Sequence, residues 1–243
     1  MEGKMSWSWF VPPSMADSTG RLGIPNAFDL FMDMASVHSD AIGNGVKHLL
    51  PQGRFWVTTK TVIRFFNRPS IEDEVELSTW VEPVKGAKGL KGNRGYRVSS
   101  KSGQVLLDGK TEWTMLDKNT ESYVELYGVY PEDFVFVEDA DSPQNYFKIR
   151  DDFTEEPFAS YTVRSLDTDF VGHMNNVAYV RAFANCFSSK EWRALDIREL
   201  EIHFRRPCFE GDTLDFSRRP GQDGYTEVRG SVDGATKVIL RYK

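Results

Sequence analysis

The sequence predicts an α+β chain that is built twice, each half supplying one helix and several antiparallel strands. Three observations carry this reading. After a loop at Leu166–Asn176, Val177, Val180, Ala184 and Phe187 recur at helical spacing, with Tyr179, Phe183 and Cys186 widening the apolar stripe. The same Asp-x-x-Gly and following helix occur 152 positions earlier. There Asp17-Ser18-Thr19-Gly20-Arg21 precedes Ile24, Phe28, Phe31, Met32 and Ala35, with Pro25 suited to an early helical position. Further on, Arg68-Pro69-Ser70-Ile71-Glu72-Asp73-Glu74 matches Arg206-Pro207-Cys208-Phe209-Glu210-Gly211-Asp212 at an offset of 138. Two matches in the same order and the same local context indicate duplication.

Strand-like runs fill each half in order. The first half offers 57–66, 75–81, 96–98, 105–107 and 111–116; the second offers 199–204, 213–216, 226–232 and 237–242, bounded by Gly-Asp turn signals. Residues 139–152, rich in Asp and holding a Pro, read as a connector. The expected division is therefore an N-terminal domain at 1–138, a linker at 139–152 and a C-terminal domain at 153–243.

Composition bounds the function. At 243 residues, 40% hydrophobic and 27% charged, the chain can bury a sizeable core. A net charge of −6 argues against a general nucleic-acid binder. No apolar run approaches the ~20 residues of a membrane span, and the first residues lack an apolar signal core. Cys186 and Cys208 form neither a disulfide framework nor a zinc spacing, so the expected compartment is the reducing cytosol, with no metal and no cofactor.

The second Asp-rich loop is where chemistry is expected. Asn175 or Asn176 suits the N-cap of the helix that follows. A helix N-terminus presents unpaired N–H groups and partial positive charge, which stabilise a developing oxyanion. Asp169 and His173 are delivered to that end, whereas Asp17 has Arg21 in place of the His. Asp167 reads as a turn and capping residue.

Asp-x-Asp-x-x-Gly-His-Met-Asn-Asn-x-x-Tyr, here Asp167 to Tyr179, resembles the active-site signature of hot-dog thioesterases. Over roughly residues 5–242 the chain resembles the bacterial and plant acyl-acyl-carrier-protein thioesterases. Supporting segments are Gly20-Arg21-Leu22, Trp56-Val57, Gly86-Ala87-Lys88-Gly89, Trp113-Thr114-Met115-Leu116-Asp117 and Phe204-Arg205-Arg206-Pro207-Cys208. The resemblance implies a tandem (double) hot-dog fold, two long central helices wrapped by a continuous antiparallel sheet. It implies hydrolysis of fatty acyl thioesters on acyl carrier protein, and a homodimer of such chains is compatible with it.

Beside that resemblance the residues take roles. No Gly-x-Ser-x-Gly elbow is present, so a serine mechanism is not expected. Asp169 is the candidate general base on water, and His173 orients that water or polarises the carbonyl. N–H groups around Gly172 to Met174 are the expected oxyanion donors, and Asn175 fixes the loop or bonds the substrate. Cys208 is either a catalytic group, as the resemblance suggests, or a small buried residue beside a Pro. Phe28, Phe31 and Met32 are expected to line the acyl pocket. Lys85, Lys88, Lys91 and Arg94, with Arg97 and Lys101, form a basic run without acids that suits docking of an acidic carrier protein or of CoA phosphates.

The chain departs from the family pattern at Val171, where an Asn is usual, and at Pro207, where an acid often precedes the Cys. Val171 keeps an acyl-CoA thioesterase in view as the alternative. A non-catalytic acyl-binding protein is the third reading, and a hot-dog dehydratase lacks its His and Pro-Gly segment here.

Overall fold

The computed structural model describes residues 2–138, 143 and 145–243 and separates into two compact units, Met1–Gln144 and Asn145–Lys243. In the first, β1 (Lys4–Phe10) leads through a short 3-10 turn to α1 (Ile24–Ala41) and α2 (Val46–Leu49). Then follow β2 (Arg54–Phe65), β3 (Glu74–Val81), β4 (Gly92–Ser100), β5 (Val105–Asp117) and the short β6 (Ser122–Tyr123). These strands pair antiparallel in the order β1-β3-β4-β5-β2, with β6 on β5. Ala27, Phe28, Phe31, Met34 and Ala35 form the buried stripe of α1, at the 3.6-residue period that its sequence shows.

The second unit repeats this plan. It contains β7 (Ala159–Thr162), α3 (Asn176–Ala184), α4 (Ser189–Ala194), β8 (Glu199–Phe204), β9 (Thr213–Pro220), β10 (Thr226–Val232) and β11 (Ala235–Tyr242). Its strands pair β7-β9-β10-β11-β8, the same order as their counterparts in the first unit. Even the irregularity recurs: the register shifts at Val98/Ser99 on β4 and at Gly230/Ser231 on β10. The duplication is thus written in the hydrogen bonds.

Three expectations change. Residues 105–107 and 111–116 belong to one strand, and β1 lies where no strand was expected. Helix α3 stops at Ala184, so Phe187 lies beyond it. The cause is local: Ser188 and Glu191 close a capping box that starts α4 in a new direction. Phe187 still packs on Phe183 and Trp192, with ring centroids 5.3 and 5.9 Å away. The third change is the offset. Ser70 N–H donates to Asp73 Oδ2 and Phe209 N–H to Asp212 Oδ2, while β3 begins at Glu74 and β9 at Thr213. Equivalent residues there are 139 apart, so Pro69 corresponds to Cys208 and Arg68 to Pro207.

Of the expected linker, 139–142 and 144 lie outside the described residues. The following residues are docked on the second unit. Ile149 and Phe153 are buried against Ile239. Phe147 N–H donates to Glu201 Oε1 at 2.7 Å. The same carboxylate takes His203 Nε2 at 2.5 Å and Arg241 Nε at 3.2 Å, and the Arg241 guanidinium is sandwiched between the Phe147 and Tyr225 rings. All three charged or titratable groups are buried. Removing one partner leaves the others without compensation. Glu201→Ala is therefore expected to lower the unfolding free energy by about 3–5 kcal/mol and to accelerate proteolysis within 145–153, read by urea melts and limited digestion.

Candidate active site

Two copies of one backbone turn precede α1 and α3. In the second, Asp169 N–H donates to His173 O at 2.9 Å, Gly172 N–H to Asp169 O at 2.9 Å, and Val171 N–H to Asp169 Oδ1 at 2.8 Å. In the first, Asp17 N–H donates to Arg21 O at 2.8 Å, Gly20 N–H to Asp17 O at 3.0 Å, and Thr19 N–H to Asp17 Oδ1 at 2.8 Å. Gly172 and Gly20 sit at φ +85° and +71°, the left-handed region that a side chain adopts at a cost. The two loops superpose in their bonds, residue for residue, at an offset of 152.

Their side chains differ. Arg68 forms an ion pair with the Asp17 carboxylate and donates to Leu22 O at 2.9 Å. Thr19 Oγ1 adds a bond of 2.5 Å, and Ile71 N–H donates to Gly20 O at 2.9 Å. Burial pushes the Asp17 carboxyl up, but Thr19 and Arg68 outweigh it and hold the group below the usual carboxylate value. In the second loop Arg68 is replaced by Pro207, and among the described residues no cation pairs with Asp169. Its carboxylate is half-buried with one oxygen on Val171 N–H. The His173 ring stands edge-on to Phe209 at 5.2 Å, and Phe170, Val171 and Phe209 are exposed.

The expected site residues fall out as follows. Asn175 is the N-cap of α3, its Oδ1 accepting from Val177 N–H at 2.8 Å. Asp167 is buried and accepts from Tyr161 Oη and Arg164 N–H. Gly172 and Met174 cannot serve as oxyanion donors in this conformation: Gly172 N–H is taken by Asp169 O, and Met174 N–H by Cys208 O at 2.8 Å. Asn176, the first residue of α3, keeps an N–H without an intrahelical acceptor. No bond is found for His173 N–H among the described residues. Cys208 is fully buried, and burial pushes its thiol up, so it stays protonated at neutral pH. Its N–H donates to Tyr179 Oη at 2.9 Å. Tyr179 is a positioning group that sequence reasoning left without a role, although it closes the Asp167–Tyr179 signature.

The residues expected to bind the rest of the substrate lie in the first unit. Phe28 and Phe31 are buried on α1 and Met32 is half-buried. Arg94 departs from its expected docking role. It is buried on β4, with Nη1 donating to His38 Nδ1 at 2.7 Å and Nη2 to Ser39 Oγ at 3.0 Å. Alternation on the strand turns it inward, away from solvent. Lys85 and Lys91 are exposed but pair with Glu138 and Glu112 at 3.1 and 3.0 Å, and Lys88 is exposed in the loop. Among the described residues no cluster of His, Cys, Asp or Glu is placed to hold a metal, and no helix is long and apolar enough to cross a membrane.

A duplicated helix-on-sheet fold with an Asp, a His and a helix N-terminus in one copy defines a double hot-dog protein of the thioesterase kind. Residues 2–130 match the acyl-ACP thioesterase N-terminal domain and residues 150–235 the C-terminal domain, and the chain belongs to the acyl-ACP thioesterase family. It is 22% identical over 204 residues to an acyl-[acyl-carrier-protein] hydrolase, chloroplastic, of Cuphea viscosissima, covering 79% of this chain and 49% of the relative. It is 26% identical over 170 residues to the palmitoyl-acyl carrier protein thioesterase, chloroplastic, of Gossypium hirsutum, covering 65% and 40%. The chain thus spans about half the length of the curated relatives it matches. Its fold matches the crystal structure of an acyl-ACP thioesterase from Bacteroides thetaiotaomicron at a TM-score of 0.86 and 22% identity, over 99% of this chain and 97% of that one. The 12:0-ACP thioesterase from Umbellularia californica matches at 0.75 and 15%, over 99% and 96%.

The Asp17 pair makes a pH-dependent contribution. A carboxyl held below its unfolded value of 3.8 stabilises the fold above that value, and the contribution disappears as pH falls through the lower, folded value. Asp17→Asn is therefore expected to lower the urea midpoint at pH 7, and the difference from wild type should close as pH falls below about 4.

Proposed function

We propose that this protein hydrolyses the thioester of a fatty acyl group on acyl carrier protein, releasing the free acid and ending chain elongation. The observation that carries the reading is the contrast between the copies: one turn, twice built, with its carboxylate locked by Arg68 in the first and left unpaired by Pro207 in the second. Asp169 takes a proton from water while the water oxygen attacks the thioester carbon. His173 positions that water, and the N–H groups of His173 and Asn176 stabilise the oxyanion. Collapse of the intermediate breaks the carbon–sulfur bond, and the proton held by Asp169 passes to the departing thiolate. Cys208 supports the loop through its carbonyl bond to Met174, not as a nucleophile.

The acyl chain is read as lying along α1, against Phe28, Phe31 and Met32, and the carrier as meeting Lys85, Lys88 and Lys91. Exposed pairs such as Lys85–Glu138 are worth little and yield to a partner with more acids. The compartment in this reading is the reducing cytosol, which two free thiols suit. An acyl-CoA substrate is the second reading, favoured by Val171.

Asp169→Ala is expected to lower kcat by at least about a hundredfold with an unchanged circular dichroism spectrum; wild-type-like turnover in the folded variant would overturn the assignment. The same acyl group offered on both carriers should give a higher kcat/KM on acyl carrier protein, and the reverse order would establish the CoA reading. Met32→Trp should move the preferred acyl length downward in a graded series, and an unchanged profile in the folded variant would remove Met32 from the pocket.

A further inference from the structure

Seven positions separate the two copies of the loop, although the backbone bonds around them are the same. Met15 N–H donates to Pro12 O and Ala16 N–H to Pro13 O, just as Asp167 N–H donates to Arg164 O and Thr168 N–H to Ser165 O. Pro12 and Ser14 therefore stand where the second unit has Arg164 and Leu166. Within the shared turn, Ser18 and Thr19 stand where it has Phe170 and Val171. Phe66 and Asn67 N–H both donate to Leu106 O, and Arg205 and Arg206 N–H both donate to Lys237 O, so those residues correspond as well. Ser70 takes the place of Phe209.

The exchange runs one way. Three serines and a threonine, all exposed, give way to Leu166, Phe170, Val171 and Phe209, and these remain exposed, Leu166 by 95% and Phe170 by 76%. The first unit forms the same turns with hydroxyl side chains, so the apolar ones are not needed to hold the fold. Three uncharged residues give way to Arg164, Arg205 and Arg206, all exposed, and Glu210 is the one exposed carboxylate on the same segments. The two segments are joined: Met174 N–H donates to Cys208 O, and the His173 ring meets Phe209.

Exposed apolar side chains grouped in this way mark contact with a protein or a membrane. Leu166 and Phe170 stand clear of the surface on tight turns. A protein partner would need a fitted recess for each of them. The headgroup boundary of a bilayer yields to protruding side chains, and arginines beside them reach lipid phosphates. The local excess of arginine complements an anionic surface. We propose that these two segments seat the second unit on an anionic lipid bilayer. Leu166, Phe170, Val171 and Phe209 enter the headgroup boundary, and Arg164, Arg205 and Arg206 meet the phosphates. The seat is independent of the catalytic reading above; under that reading, an insoluble acid is released beside the lipid that dissolves it.

The experiment sediments the full chain with vesicles of equal parts phosphatidylcholine and phosphatidylglycerol. Wild type is expected to bind them, and to bind phosphatidylcholine alone at least about fivefold more weakly. Leu166→Ser with Phe170→Ser places the first unit's own residues in the same turns. That pair should weaken binding at least about tenfold, because two side chains no longer leave water. Arg205→Gln with Arg206→Gln should weaken it about twentyfold, roughly fivefold for each charge near the surface. Both double variants are expected to keep the wild-type urea midpoint. Absence of vesicle binding by wild type overturns the proposal, as does binding that survives both pairs. If wild type ignores vesicles but binds acyl carrier protein more tightly than the serine variant does, the segments dock a protein and the bilayer seat is likewise overturned. Hydrolysis of a soluble thioester, measured in parallel, bears on the catalytic reading alone: vesicle binding lost in the variants supports the seat whether or not the thioester is cleaved.

Discussion

The hydrogen bond from Asp169 N–H to His173 O, with Gly172 in the left-handed region between them, fixes everything that follows it. It turns the chain so that Asn175 caps α3 and Met174 N–H reaches Cys208 O. That last bond ties the loop to the segment between β8 and β9, and Tyr179 reaches back from α3 to brace the same segment at Cys208 N–H. A turn, a cap and a brace therefore present one carboxylate and one imidazole at a helix N-terminus. Nothing in this scaffold is specific to chemistry, because the first unit builds the same turn around Asp17 and Arg21.

What separates the copies is what surrounds the carboxylate. Arg68 neutralises Asp17, and Ile71 N–H stitches the adjacent Gly20 to the neighbouring segment. Stability and reactivity compete for the same group here. A carboxylate held by a guanidinium and two bonds from Thr19 is a poor base. Pro207, which cannot donate a side-chain bond at all, leaves Asp169 without the ion pair that Arg68 gives Asp17.

Periodicity made α1, α3 and most of the strands legible, and the repeated Asp-x-x-Gly made the duplication legible. Contacts made through space were not. The Arg-Pro pair at 68–69 and 206–207 invites an alignment one residue from the one that the hydrogen bonds of Asp73 and Asp212 impose, and this concealed that Arg68 stands opposite Pro207. Backbone donors carry no side-chain signal, so nothing in the sequence told that Gly172 and Met174 N–H groups are spent within the loop. Arg94 looked like part of a basic run because the expected strand began only at Tyr96. It lies instead on a strand, where every second residue turns inward. The alternation Ser6-Trp7-Ser8-Trp9 was a readable strand signal for β1, and pairing with β3 explains it.

Burying Arg94 makes demands on its surroundings that the rest of the first unit meets. A guanidinium out of water needs acceptors, and among the described residues no carboxylate supplies one. His38, kept neutral with its value held down to about 4 by burial and by Arg94 itself, accepts at Nδ1 and donates from Nε2 to Glu2 O at 3.3 Å. The position of His38 in the last turn of α1 depends on the helix running 18 residues, twice the length of α3. The longer helix of the first copy is thus coupled to a charge inside its sheet. The shorter helix of the second ends at Ala184, before Ser188 caps α4. One duplicated fold has diverged into a half with a buried Arg94–His38 pair at the end of an extended helix and a half whose Asp169 and His173 precede a short one.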